Sequence, residues 1–105
     1  MDVNAIGLSG IAAAALGTAV SANNIANVNS QGYKAKRLDQ QDLAQGGTQP
    51  AALRESQEPA APEGSNVDLA NEITSLIGQG NSYQANLKTI QTQDQMLGTA
   101  LDLKA

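Results

Sequence analysis

Two stretches of the chain carry apolar residues at helical spacing, and a stretch without that rhythm separates them. In the first, Leu8, Ile11, Ala15, Thr18, Ala22 and Ile25 recur at alternating steps of three and four, which predicts a helix with one apolar face. In the last third, Leu69, Ile73, Leu76, Gly80, Tyr83, Leu87, Ile90, Asp94, Leu97 and Leu101 keep heptad spacing without a skip. That is a coiled-coil-like seam, with Gly80 and Asp94 as its weak points. Ser65 followed by Asp68 resembles a capping box at the start of this helix, with Asp in the place of Glu. Asp68 and Glu72 then put negative charge in the first turns, where the helix dipole favours it. Residues 38–64 hold Pro50, Pro59, Pro62, Gly46, Gly47 and Gly64 with few apolar positions, and read as an irregular or disordered linker arm. A short extended piece after Tyr33 is compatible with the sequence.

Composition narrows what these helices can build. Tyr33 and Tyr83 are the only aromatic residues among 105, so the large side chains that usually fill a compact core are missing. A self-contained globule of this size would be marginal, which favours an elongated helical molecule that completes its core against other chains. Cysteine and histidine are both absent, which excludes disulfides and thiolate sites and removes the commonest general base and metal ligand. No catalytic, cofactor or metal site is expected, and no small-molecule substrate. Asp68 and Glu72 read as helix-end electrostatics rather than a catalytic carboxylate pair. The net charge of −4 argues against nucleic acid, and Lys34, Lys36 and Arg37 read as a short solvated basic segment.

The first helix is uncharged from Val3 to Gln31, yet it begins with Asp2 where a secretory signal would carry positive charge. Ala, Gly, Ser and Thr dilute it as a membrane span. A small membrane-associated protein anchored by residues 5–22 is therefore the competing reading. Gly7, Gly10 and Gly17 each cost a helix about 1 kcal/mol against alanine, but small residues let another helix approach closely. Asn23, Asn24, Asn27 and Asn29 would only weaken an exposed helix end. Buried between subunits, their amides would donate and accept together and fix register without charge.

These residues carry a family likeness. "SANNIANVNSQGYKAKR" resembles the motif that ends the N-terminal helix of bacterial flagellar axial proteins, the rod and hook proteins. "SNVDLANEITSLIGQGNSYQANLKTIQTQDQMLGTALDLKA" resembles the C-terminal element of the same family. Together the two cover residues 1–37 and 65–105. Ser30 and Gln31 stand where that family usually has Thr-Pro, and Gly78 and Gly80 where it more often has helix formers. The short middle makes the chain look like a minimal, proximal-rod-type member.

The resemblance implies an all-α fold: two long helices paired as an antiparallel coiled-coil-like hairpin, joined by the irregular Gly/Pro-rich arm. The expected divisions are 1–37 (N-terminal helix and asparagine motif), 38–64 (flexible or extended arm) and 65–105 (heptad helix). The implied role is a non-enzymatic structural subunit of the flagellar basal-body rod, for motility, assembling with other rod subunits and with copies of itself. Passage through the flagellar type III export apparatus without a cleaved signal is implied too. The alternative is a diverged rod-like or export-associated accessory protein. Carried over by position, Asn23, Asn24 and Asn27 are expected to bond between subunits, Gly32 to turn the chain and Tyr33 to pack at the helix exit. Asp68 and Glu72 would open the second helix, and Tyr83, Gln84 and Asn86 carry its motif. Leu8, Ile11, Ile25, Leu69, Ile73, Leu76, Leu87, Ile90, Leu97 and Leu101 would line the assembling faces.

Overall fold

A computed structural model describes residues 3–104; Asp2, which bears on the signal-peptide reading, lies outside them. The elements run α1 (Val3–Ala26), β1 (Lys36–Asp42), β2 (Thr48–Glu55) and α2 (Leu69–Lys104). The two helices lie antiparallel. A Cβ built on Gly10 would meet the Asn86 amide at 2.5 Å, one on Gly17 would meet the Gln79 amide at 2.5 Å, and one on Gly7 would meet Ile90 at 3.0 Å. Glycine permits this approach because it has no Cβ to displace the partner helix. The buried face of α1 is accordingly small: Gly7, Ala13, Ala14, Gly17, Ser21 and Asn24. By length and composition α1 is also a candidate membrane span.

The expected all-α fold with a disordered arm is corrected here. Strands β1 and β2 pair antiparallel, from Lys36 opposite Glu55 to Asp42 opposite Thr48, with a register shift between Asp39 and Gln40. Three local features explain why the arm is ordered. Gly46 and Gly47 adopt φ of +94° and +89°, and the turn closes where the Leu43 amide donates to the Gly47 carbonyl at 3.0 Å; a Gly-Gly pair is a hairpin turn signal. Pro50, which cannot donate to a ladder, sits at the register shift opposite Gln40. Opposite charges pair across the strands, Lys36 with the directly facing Glu55 at 2.8 Å and Arg54, which faces Arg37, diagonally with Asp39. The hairpin lies back along α1. Its tip packs Gly46 near Ile6, the Thr48 amide donates to the Ser9 hydroxyl at 3.2 Å, and the Gln40 amide reaches the Ala13 carbonyl at 3.4 Å.

The chain leaves α1 and enters α2 side by side. The Gly32 amide donates to the Gly64 carbonyl at 2.9 Å, and the Asn66 amide donates to the Tyr33 carbonyl at 3.1 Å. The expected capping box is also corrected. Asp68 is itself the cap: its carboxylate accepts from the amides of Ala70 at 3.1 Å and Asn71 at 3.4 Å. The Ser65 hydroxyl instead donates to the Val28 carbonyl at 2.7 Å, tying the entry of α2 to the exit of α1. Beyond Gln93, α2 runs past the first described residue of α1 for about 16 Å at 1.5 Å per residue.

Candidate assembly interface

At the end of α1, one side chain ties three elements together. Asn24 is fully buried, and so, at 1% exposure, is Glu72 on α2. The Asn24 side-chain amine donates to the Lys36 carbonyl at 2.9 Å and to the Glu72 carboxylate at 3.1 Å. Its carbonyl oxygen accepts from the Lys36 amide at 2.9 Å and the Tyr33 hydroxyl at 3.0 Å. Both amide hydrogens and both lone pairs are thus in use, the full capacity of the group. The two bonds to Lys36 imitate one rung of a β-ladder and dock β1 on α1, while the bond to Glu72 docks α2. Arg37 completes the node, its guanidinium donating to the Glu72 carboxylate at 3.0 Å from a half-exposed position. A buried carboxylate needs such pairing, since an isolated charge there would be costly.

The other motif residues have separate places. The Asn27 amide donates to the Asn23 carbonyl at 2.8 Å and accepts from the Ser30 hydroxyl at 3.0 Å, an exposed chain of bonds over the end of α1. Gly32 turns the chain at φ +74°, with open space where a Cβ would sit; the conformation alone calls for glycine. The Lys36 ammonium lies 5.9 Å from the Tyr33 ring centre. On the hairpin end, the hydrogen bond from Lys36 holds the Glu55 carboxyl below its usual range, and the same bond raises the Lys36 ammonium above its own.

The heptad residues do not meet as one intramolecular seam. Facing α1 are Glu72, Gln79, Asn86 and Ile90, with Leu76 half-buried at the edge. Leu69, Ile73, Tyr83 and Leu87 are exposed, Leu87 at 40%. Leu97 and Leu101 lie on the overhang and are exposed at about 60%. Gln84 is exposed as well, and on α1 Leu8 is exposed while Ile11 and Ile25 are half-buried. An open apolar groove runs along the overhang beside Met96, Ala100 and Leu103.

Three contributors are not singled out by the sequence. Arg37, expected in a solvated basic segment, pairs with Glu72 from a half-exposed position. Asn66, unremarked, accepts from the Ala35 amide at 2.6 Å and donates to the Glu58 carbonyl at 2.7 Å. Gln79 faces Gly17. The signal for the last was present: Gly10, Gly17 and Asn24 stand seven residues apart, as do Glu72, Gln79 and Asn86.

Comparison with known proteins finds likenesses to flagellar axial proteins. Residues 60–103 match the family described as flagellar basal body rod FlgEFG protein C-terminal. Flagellar hook protein FlgE of Escherichia coli K12 is 48% identical over 44 residues, 42% of this chain and 11% of that protein. FlgE of Caulobacter vibrioides is 34% identical over 98 residues, 90% of this chain and 16% of that protein. The flagellar basal-body rod protein FlgG of the same organism is 46% identical over 43 residues, 41% of this chain and 16% of its own length. The chain therefore spans between 11% and 16% of the length of these relatives.

Proposed function

We propose that the chain is a structural subunit of the flagellar basal body, on the match of residues 60–103 to the flagellar rod protein C-terminal family and the 34% identity to a flagellar hook protein over 98 residues. It joins other axial subunits and copies of itself through its two terminal helices. The observation that carries this reading is the conjunction of the matched C-terminal element with a row of apolar side chains on that same helix left exposed. A role in motility follows from the assembly and is mechanical, and the chain supplies contacts rather than chemistry. The short arm between the helices supports the finer form of the proposal, a rod-type subunit with no large domain inserted there. Export through the flagellar apparatus in an unfolded state belongs to the same proposal. A chain free of cysteine whose fully buried apolar residues are Ala13, Ala14 and Ala35 has little to hold it folded on the way.

Mass spectrometry of purified hook–basal bodies tests the reading. Peptides of this chain at levels comparable with other rod subunits are expected; their absence from the particle, with the chain expressed, would overturn it. The second reading, a membrane-anchored helix, is favoured by the length and apolar character of α1. Against it stands the polar docking of α1 through Asn24 and Ser9. Flotation of the purified chain with liposomes separates the two, and the rod reading expects the chain to stay in the aqueous fraction.

A further inference from the structure

Helix α2 carries two candidate faces displaced by one residue. The face turned to α1 is Glu72, Gln79 and Asn86, joined by Ile90; the outer row of the apolar stripe is Ile73, Gly80 and Leu87, each one position after an amide or carboxylate of that face. At 3.6 residues per turn that is a rotation of about 100°. Hydrophobic burial alone favours the stripe turned inward, because Ile73 and Leu87 would then leave water. The chain adopts the other arrangement.

We propose that the three pairs Gly10–Asn86, Gly17–Gln79 and Asn24–Glu72 form a register key, which fixes the rotation of α2 and keeps the Ile73–Leu87 row of its apolar stripe turned outward while Ile90 stays against α1. The key is periodic, since both sets of residues step by seven in opposite directions along antiparallel helices. It is also chemically selective. Turning the stripe inward would set Ile73 against the Asn24 amine, which now donates to Glu72, and leave a buried donor facing carbon. The glycines leave room for amide side chains at the close approach, and the Asn86 amine is anchored by a bond to the Ser82 carbonyl at 2.9 Å. Single buried polar pairs set register in coiled coils at some cost in stability; here Asn24–Glu72 is such a pair, and the two glycine–amide approaches repeat its spacing along the helices. The key rests on the assembly reading only for the use made of the exposed stripe.

The absence of cysteine allows a direct test on the full chain. Ala14 and Ser82 line one cleft between the helices, whereas Gln84, four residues after Gly80 and three before Leu87, belongs to the outer row. The double variant Ala14→Cys/Ser82→Cys is expected to cross-link within one chain about tenfold faster than Ala14→Cys/Gln84→Cys, since cysteines pointing apart cannot be bridged without backbone movement. In a background of Glu72→Met, Gln79→Met and Asn86→Leu, which keeps volume and removes polarity, that preference should collapse towards parity. Should this background lose helicity, Gln79→Leu with Asn86→Leu leaves the buried Asn24–Glu72 bond in place, and the preference is again expected to fall. Equal rates in the parent chain, or an unchanged preference in a helical apolar background, would overturn the key. Both results are independent of whether the chain is found in basal bodies, so failure of the key and failure of the assembly reading are told apart.

Discussion

Asn24 concentrates more structural consequence than any other polar side chain described. Replacing it with alanine removes four hydrogen bonds at once and leaves the Lys36 backbone and Glu72 without those partners. Asn24→Ala is expected to destabilise the chain by about 2–4 kcal/mol, since stranding buried polar groups costs more than losing the bonds themselves. Urea denaturation followed by far-UV circular dichroism measures this, and a loss below about 0.5 kcal/mol, the range of neutral surface changes, would contradict the node. The glycines of α2 make the contrasting case. A Cβ on Gly78 or Gly80 would meet nothing within 4 Å. Alanine at either position is expected to stabilise the isolated chain by about 1 kcal/mol, and loss of stability in the same denaturation would show that these glycines have an intramolecular role.

The hairpin is the element whose order depends most on charge and turn chemistry. The bond between Lys36 and Glu55 gives a definite sign to its pH dependence. Glu55 is depressed on folding, so its contribution is present above the ordinary glutamate value and fades as pH falls through the lowered one. Lys36 is raised on folding, so its contribution is present below the ordinary lysine value and fades as pH rises through the raised one. The protection factors of amides at the Lys36–Glu55 end, which are exchange rates freed of their own acid and base catalysis, should therefore be greatest between the two extremes and fall towards both, as followed by NMR; protection independent of pH would remove the pair as a support. Proteolysis reports on the segment that joins the hairpin to α2. Glu58 and Glu63 are exposed outside the strands, whereas Glu72 is buried in the node. A glutamyl endopeptidase is expected to cut at Glu58 and Glu63 first, and early cleavage after Glu72 would mean that the node opens readily.

At the scale of the whole molecule, the dimensions set the chain apart from a globule. Its radius of gyration is 18.2 Å over extents of 68 × 24 × 13 Å, against about 13 Å for a compact chain of this length. Such a rod has little interior, and the apolar side chains of α2 are consequently left for other molecules to cover. Leu101 is a clean probe, being exposed beyond the reach of α1. Leu101→Lys should change monomer stability by less than about 0.5 kcal/mol, yet exclude the chain from purified basal bodies. A variant incorporated at the parental level would release the overhang from any part in assembly.

The two helices are legible in the linear chain, because periods of three and four in apolar residues persist whatever the helices pack against. So are the turn at Gly32 and the two terminal motifs that resemble those of flagellar axial proteins. The hairpin was encoded too, in Gly46-Gly47 and in the charges that pair across it. Its strands lack the apolar alternation of a half-buried sheet, since they rest on α1 through a few polar contacts and stay exposed elsewhere. Which face of α2 meets α1, by contrast, is settled by packing. Periodicity states which residues share a face, and a stripe of leucine and isoleucine points to the face that should be buried. The chain instead brings glycine against amide and Asn24 against Glu72. Hydrogen bonding between residues 48 positions apart in the chain and the close fit of two backbones are properties of the packed pair, and neither helix expresses them alone.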